Sequence, residues 1–380
     1  MTRRRVLSVV GTRPNFMKIA PVARRLAGRA DFEHILIHTG QHYDDAMSRV
    51  FFEELGLPEP DAYLGIGSGS HTAQTARVLR RLEPVLRERC PDVVLVPGDV
   101  NSTFAAALTA RQLGLRVGHI EAGLRSFDRT MPEELNRVLT DQISDLLFIH
   151  SPEAREHLLA ERRPPAAIHN VGNTMIDTLV DLRSAIIERE APAAYAVEPG
   201  AYVLVTLHRP ALVDGPLLAR ALEALGGLAE AYEVVFPLHP RTRARIDTLD
   251  GALSPNPRLK LIDPLGYLDF LSLAESAAGV LTDSGGVQEE TTFLGVPCFT
   301  LRANTERPIT VECGTNTVLG LDPARIAEIP RLLSAPRSKT PRAPDGWDGN
   351  AAHRIVDVLE SLPESEHASS RVATDNVSGG

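Results

Sequence analysis

The sequence predicts an α/β protein of two Rossmann-like, doubly wound domains facing across a cleft, and three observations predict it. Short β-branched runs alternate with longer stretches of helical spacing. The alternation restarts after roughly residue 175. The conspicuous polar residues of both halves stand where a strand ends. A chain of 380 residues exceeds one typical domain. The pattern assigns residues 1–174 to the first domain, 175–350 to the second, a helix at 351–362 expected to pack back on the first domain, and a polar, disordered tail at 363–380.

The elements follow in order. "RVLSVVG", "EHILIHTG", "DVVLVPGD", "LRVGHIEAG" and "DLLFIHS" show little polar alternation, as strands covered on both faces of a parallel sheet do. Between them "NFMKIAPVARRLAG", "TAQTARVLRRLEPVLRER", "NSTFAAALTARQLG" and "PEELNRVLTDQIS" place apolar residues three and four apart, the spacing of helices with one buried face. "VGNTMIDTLVDLRSAII" reads as the helix that joins the halves. "AYVLVTLH", "YEVVFPLHP", "RLKLIDP", "AGVLTDSGG" and "VPCFTLR" repeat the strand pattern in the second half.

Composition narrows the function. The formal net charge is -9 and no basic block or stripe stands out, which argues against a nucleic-acid partner. Arg3–Arg5 precede a six-residue apolar strand, too short for a signal-peptide core or a membrane span, and no later apolar run reaches membrane length. Cys90, Cys298 and Cys313 are odd in number and far apart. They fit neither a disulfide framework nor a zinc site, so a reducing cytoplasm is expected.

Ligands of open parallel sheets bind at the carboxyl ends of the strands. There the first half places "VVGTRPNFMK", a turn through Gly11 into a helix with Arg13 and Lys18 at its mouth. Helix-start amides and two cations suit a phosphate, and a tight turn with two solvated charges is the plain alternative. The turn is not GxGxxG and the chain has no Walker lysine, which weighs against nicotinamide and ATP. "GIGSGS" (65–70) follows no good strand and reads as a loop. In the second half "LTDSGGVQEE" ends a strand at Ser284-Gly285-Gly286, where the backbone can approach an anion at a helix start, with Glu290 placed to accept ribose hydroxyls. A helix with acidic first turns would look the same. Arg307 in "NTERPITV" stands at another loop-to-helix boundary, and His208 and Arg209 follow a strand directly in "TLHRP". His239, in the matching place of the next strand, reads as structural.

"GHIEAGLRSFDRTMPEELNRVL" (118–139) crowds Glu121, Asp128, Glu133 and Glu134 among Arg125, Arg129 and Arg137. Glu121 ends an apolar strand, so it is expected to be partly buried, where an unpaired carboxylate titrates high and suits proton transfer. Asp99 ends the neighbouring strand. Glu133 and Arg137 sit four apart, which alone reads as an ordinary helix-surface pair.

These blocks together resemble the non-hydrolysing UDP-N-acetylglucosamine 2-epimerases. The matching pieces are "GTRPNFMKIAP", "TGQH", "PGDVNST", "GHIEAGLRS", "PEELNR", "VGNTMIDTL", "HR", "LTDSGGVQEE" and "TERP", in the family's order over about residues 5–320. The resemblance implies a fold like that of GT-B glycosyltransferases, with the nucleotide sugar in the interdomain cleft. It also implies a cytoplasmic homodimer that needs neither metal nor NAD and whose product, UDP-N-acetylmannosamine, feeds bacterial surface polysaccharides. By matching position Asp99, Glu121, Glu133 and His208 would be catalytic. Arg13, Lys18, His208, Ser284, Gly285, Gly286 and Arg307 would hold the diphosphate, Glu290 the ribose and Phe270 the uracil side, with Arg137 supporting the acids. Gln41 and His42 match a pair that in many bacterial members binds a second substrate molecule as activator.

The implied reaction eliminates UDP to a glycal and adds it back with the proton on the other face of carbon 2. The chain departs from the family at Asn15, commonly glutamate, at "HRPALVD", commonly "HRREN", at Leu265, often glutamine, and at "GSGS" near residue 68, where an arginine serves the activator site. The competing readings are a hydrolysing epimerase, a GT-B glycosyltransferase, an epimerase of a related UDP-acetamido sugar, and a nucleotide-sugar-binding regulator without chemistry.

Overall fold

The computed structural model describes residues 3–40, 54–249, 256–336 and 342–364. The chain divides into two compact units, Met1–Asp181 with Asp345–Gly380, and Leu182–Pro344. Each is built on one parallel sheet, the α/β class that the alternating pattern predicts.

In the first unit the strands are β1 (Arg4–Val10), β2 (Phe32–His38), β3 (Ala62–Tyr63), β4 (Val93–Pro97), β5 (Arg116–Ile120), β6 (Leu146–Ile149) and β7 (Ile168–Asn170). They lie in the order β3-β2-β1-β4-β5-β6-β7. All are parallel, and Pro97 at the end of β4 is level with Ile120 at the end of β5. The strands are buried along most of their length because helices cover the sheet on both faces. These are α1 (Arg13–Ala27), α2 (His71–Arg89), α3 (Asn101–Gln112), α4 (Pro132–Ile143), α5 (Pro152–Ala160) and α6 (Thr174–Asp181). Leu7, Val9, Ile37, Val94, Val96 and Val117 of the strands pack with Val78, Leu82 and Leu86 of α2 and the alanines of α3 in one core.

The second unit repeats the plan with β8 (Tyr202–Thr206), β9 (Glu233–Pro237), β10 (Leu259–Ile262), β11 (Gly279–Thr282), β12 (Cys298–Thr300) and β13 (Asn316–Val318), in the order β10-β9-β8-β11-β12-β13. Its main helices are α7 (Leu217–Leu228), α8 (Tyr267–Ser276) and α9 (Gly285–Leu294). Leu218, Leu222 and Leu225 of α7 fall three and four apart and seat on Val203, Val205 and Phe236 of the sheet.

The chain then returns to the first unit as α10 (Ala351–Ser361). Asp177 of α6 is buried and accepts from the amides of Ala351 (3.1 Å) and Ala352 (2.7 Å), two of the donors a helix start leaves unmet. Burial pushes its carboxyl above the usual carboxylate value, and those amide bonds only partly oppose this. Asp177→Ala should therefore cost about 2 kcal/mol, from two buried amides left unmet. A shift of the urea midpoint to lower concentration checks this, and an unchanged midpoint contradicts it.

Candidate active site

The strand order reverses direction in each sheet, between β1 and β4 in the first and between β8 and β11 in the second. An open α/β sheet leaves a crevice at such a point, outside the carboxyl ends of the two strands.

At the first of these points the turn after β1 meets the loop after β4. Asn15, buried near the start of α1, accepts from the amides of Gly11 and Thr12 (3.1 Å each) and donates to the carbonyl of Pro97 (2.9 Å). Its amide therefore staples the two strand ends together. A glutamate at this position would bring no donor for Pro97. Gly98 follows with φ of 68°, and a Cβ there would lie 3.0 Å from the Lys18 ammonium.

Lys18 is buried in α1 and its Nζ lies 2.8 Å from Glu121 Oε1, both side chains 6% exposed. The cation expected at a phosphate thus sits against the Glu121 carboxylate and offsets its charge. Glu121 itself holds φ of 70°, a conformation costing a non-glycine residue about 1 to 3 kcal/mol. It is kept there by the adjoining amides, since those of Glu121 and Ala122 both donate to the Phe148 carbonyl (3.1 and 3.0 Å).

Asp99 pairs with Arg137, whose other terminal nitrogen lies 2.8 Å from Glu134. The surface pair of Glu133 with Arg137 is not formed. Arg137 is buried, and the side chain one position further along α4 is the one turned to meet it. Glu134 also accepts from Ser126 N, Ser126 Oγ and Phe127 N, each at 2.9 Å, and so fixes the turn between β5 and α4. Glu133 is half-buried, with no charged partner among the described residues. Arg13 lies half-buried at the start of α1.

At the second point the loop after β8 meets the loop after β11. The amides of His208 and Arg209 both donate to Asp283 Oδ2 (2.8 Å), and His208 Nδ1 stands 3.0 Å from Oδ1. Burial would push the Asp283 carboxyl up, but the His208 ring and the two amides outweigh it and hold it below the usual carboxylate value. A depressed carboxyl stabilises above its unfolded pKa, and that stability is lost as pH falls through the folded value. Asp283→Asn should flatten the acid limb of a plot of Tm against pH from about pH 5 downward. An unchanged slope contradicts this.

Ser284 caps α9 in extended conformation, and Gly285 and Gly286 open the helix. A Cβ on Gly285 would strike the Arg307 guanidinium, which is why glycine stands there. Arg307 is buried between Glu289 and Glu306, 2.8 Å from each, and Arg302 pairs with Glu306 at 2.7 Å. Glu290 Oε1 accepts from the Tyr267 hydroxyl at 2.9 Å. Phe270, on α8 with Tyr267, packs against the core around Tyr202 and Leu273, as does Leu265. His239 accepts from the Arg241 amide at the start of its helix. Sequence reasoning missed Glu134, Asp283, Glu289 and Glu306 as partners. All four stand inside the quoted motifs, but spacing alone could not say which charge each one meets. Gln41 and His42, and residues 365–380 of the expected tail, lie outside the described residues.

The motifs thus gather at the two points where such sheets bind ligands, and the chain is similar to known proteins over most of its length. The family model described as UDP-N-acetylglucosamine 2-epimerase matches residues 24–360. The chain belongs to the UDP-N-acetylglucosamine 2-epimerase family. It is 43% identical over 360 residues to the protein of that name from Methanococcus maripaludis, covering 92% of this chain and 97% of the relative. It is 41% identical over 362 residues to the UDP-2,3-diacetamido-2,3-dideoxy-D-glucuronate 2-epimerase of Pseudomonas aeruginosa, covering 94% and 100%. The crystal structure of the Methanocaldococcus jannaschii UDP-GlcNAc 2-epimerase in complex with UDP-GlcNAc and UDP matches with a TM-score of 0.85 at 41% identity, over 94% of this chain and all of that one. No helix among the described residues is long and apolar enough to cross a membrane.

Proposed function

We propose that the chain interconverts UDP-N-acetylglucosamine and UDP-N-acetylmannosamine by eliminating UDP to a glycal and adding it back. The observation that carries this reading is the set of carboxylates at the first switch point, with Glu121 in a left-handed conformation against Lys18. The proton on carbon 2 of the sugar is not acidic, so direct deprotonation is too slow. Breaking the glycosidic bond places positive charge on the sugar and negative charge on the leaving diphosphate. Carboxylates belong beside the first, and cations and helix amides beside the second.

In this assignment Asp99 and Glu121 exchange the proton at carbon 2, Glu133 supports them, and Arg137 orients Asp99. Lys18 offsets the charge of Glu121 and, with Arg13, adds positive potential for the diphosphate. Ser284, Gly285, Gly286 and Arg307 bind the diphosphate, with His208 oriented toward it by Asp283. Glu290 takes the ribose and Phe270 the uracil side. The enzyme works as a cytoplasmic homodimer, without metal or nicotinamide, in bacterial surface polysaccharide synthesis.

Proton NMR of UDP-N-acetylglucosamine with the purified enzyme tests the reading. A second anomeric signal with UDP still attached supports it. Free sugar accumulating with UDP makes the enzyme a hydrolysing epimerase. The Pseudomonas relative favours one further reading, a diacetamido uronic acid as the sugar. Turnover of the UDP-diacetamidoglucuronate alone would replace N-acetylglucosamine with that substrate.

A further inference from the structure

His119 is fully buried one residue before the end of β5, and both ring nitrogens are engaged. Nδ1 is 2.7 Å from Asp141 Oδ1 and Nε2 is 2.7 Å from the carbonyl of Gly98. A backbone carbonyl only accepts. Asp141 is also an acceptor on every side, since its Oδ2 takes the Gly123 amide at 3.1 Å and the Arg125 guanidinium at 2.8 Å. Burial alone would push the Asp141 carboxyl up, but His119 and Arg125 hold it below the usual value. Arg125 is in turn held by Glu161, at 2.7 and 2.6 Å. Each ring nitrogen of His119 therefore faces a group that accepts.

The contacts also fix where the catalytic loops stand. The Gly98 amide donates to the Ile120 carbonyl at 3.0 Å while its own carbonyl takes the His119 proton. The peptide that leads into Asp99 is therefore clamped from both sides by β5. Gly123, two residues after Glu121, is tied to the same Asp141 carboxylate. One buried pair thus links the loops of Asp99 and Glu121 to α4.

We propose that His119 is a positioning residue of the epimerase site: a doubly protonated imidazole, paired with Asp141, that sets the Asp99 and Glu121 loops in register. The inference rests on the proposed function for its kinetic consequence only. His119→Gln can satisfy one of the two acceptors, so kcat should fall about thirtyfold or more, while the dissociation constant of UDP stays within about twofold. Asp141→Asn is the conservative variant. With its amide nitrogen toward Nδ1 and its oxygen toward Gly123 and Arg125, a neutral ring protonated at Nε2 keeps the Gly98 bond. That variant should retain kcat within severalfold.

The test is nitrogen-15 NMR of the His119 ring in the labelled full-length protein at pH 7.5, assigned through its Cβ, together with kcat and UDP affinity of both variants. Two ring N–H signals in the wild type, and one at Nε2 in Asp141→Asn, are expected. A single ring N–H in the wild type overturns the protonation. An unchanged kcat in His119→Gln, or parallel loss of kcat and UDP binding, overturns the positioning role. Should His119→Gln fail to fold, a large kcat loss in folded Asp141→Asn with the Nε2–H in place overturns it instead. A wild type that turns over no UDP-sugar defeats the proposed function and leaves the ring readout standing.

Discussion

Replacing Glu121 by glutamine is expected to lower turnover by about a thousandfold, the middle of the range for losing a positioned acid or base. UDP binding is expected to stay near its wild-type strength, because the substitution keeps the size of the side chain and removes none of the cations or helix amides proposed to hold the diphosphate. The substitution also leaves Lys18 buried without its counter-charge. Stripping one partner from a buried pair costs about 3 to 5 kcal/mol, so a loss of activity could be confused with a loss of fold. Lys18→Met combined with Glu121→Gln separates the two. The double variant should recover stability, because no lone charge remains, and it should not recover turnover. Full activity in either variant would remove Glu121 from the chemistry.

The second large effect is expected at Arg307. Its guanidinium sits between two buried glutamates, Glu289 and Glu306, so Arg307→Ala leaves both carboxylates with one cation fewer. A stability loss of about 3 to 5 kcal/mol follows. A charge-assisted bond to phosphate contributes about 1.5 to 3 kcal/mol, so UDP affinity should fall by about tenfold or more. Titration calorimetry with UDP, below the unfolding temperature of the variant, measures the second effect apart from the first. Adding Glu289→Ala should restore part of the stability and none of the affinity. An Arg307→Ala protein that binds UDP as the wild type does would make Arg307 a structural residue of the second unit.

Both predictions rest on pairings the sequence did not disclose. The fold was legible because its signals are local. Strands such as "VVLVP" are apolar end to end, and the helices between the strands carry clear spacing. The strands that escaped notice are Ala62–Tyr63, Ile168–Asn170 and Asn316–Val318. They have two or three residues, too few to show a period, and they exist because an edge of the sheet offers a partner. The linking helix also breaks at Leu182 between Thr174–Asp181 and Arg183–Glu188, with neither glycine nor proline to announce it.

At the site, residue types and strand ends were readable, and partners were not. Lys18 meets Glu121 across 103 positions of sequence, and His208 meets Asp283 across the second switch point. Glu134, not Glu133, reaches Arg137, because one step along a helix turns a side chain by about 100°, enough to exchange the buried face for the half-exposed one. Local spacing measures neither distance. The strand order does, because it brings β1 beside β4, with β5 next in the sheet, and β8 beside β11.

The most direct test of the central claim is the fate of the carbon 2 proton. UDP-N-acetylglucosamine incubated with the wild-type enzyme in deuterated water should lose its carbon 2 proton signal as deuterium enters, with UDP still attached in both epimers. Retention of that proton while the second epimer accumulates would contradict a mechanism in which Asp99 and Glu121 remove and return it.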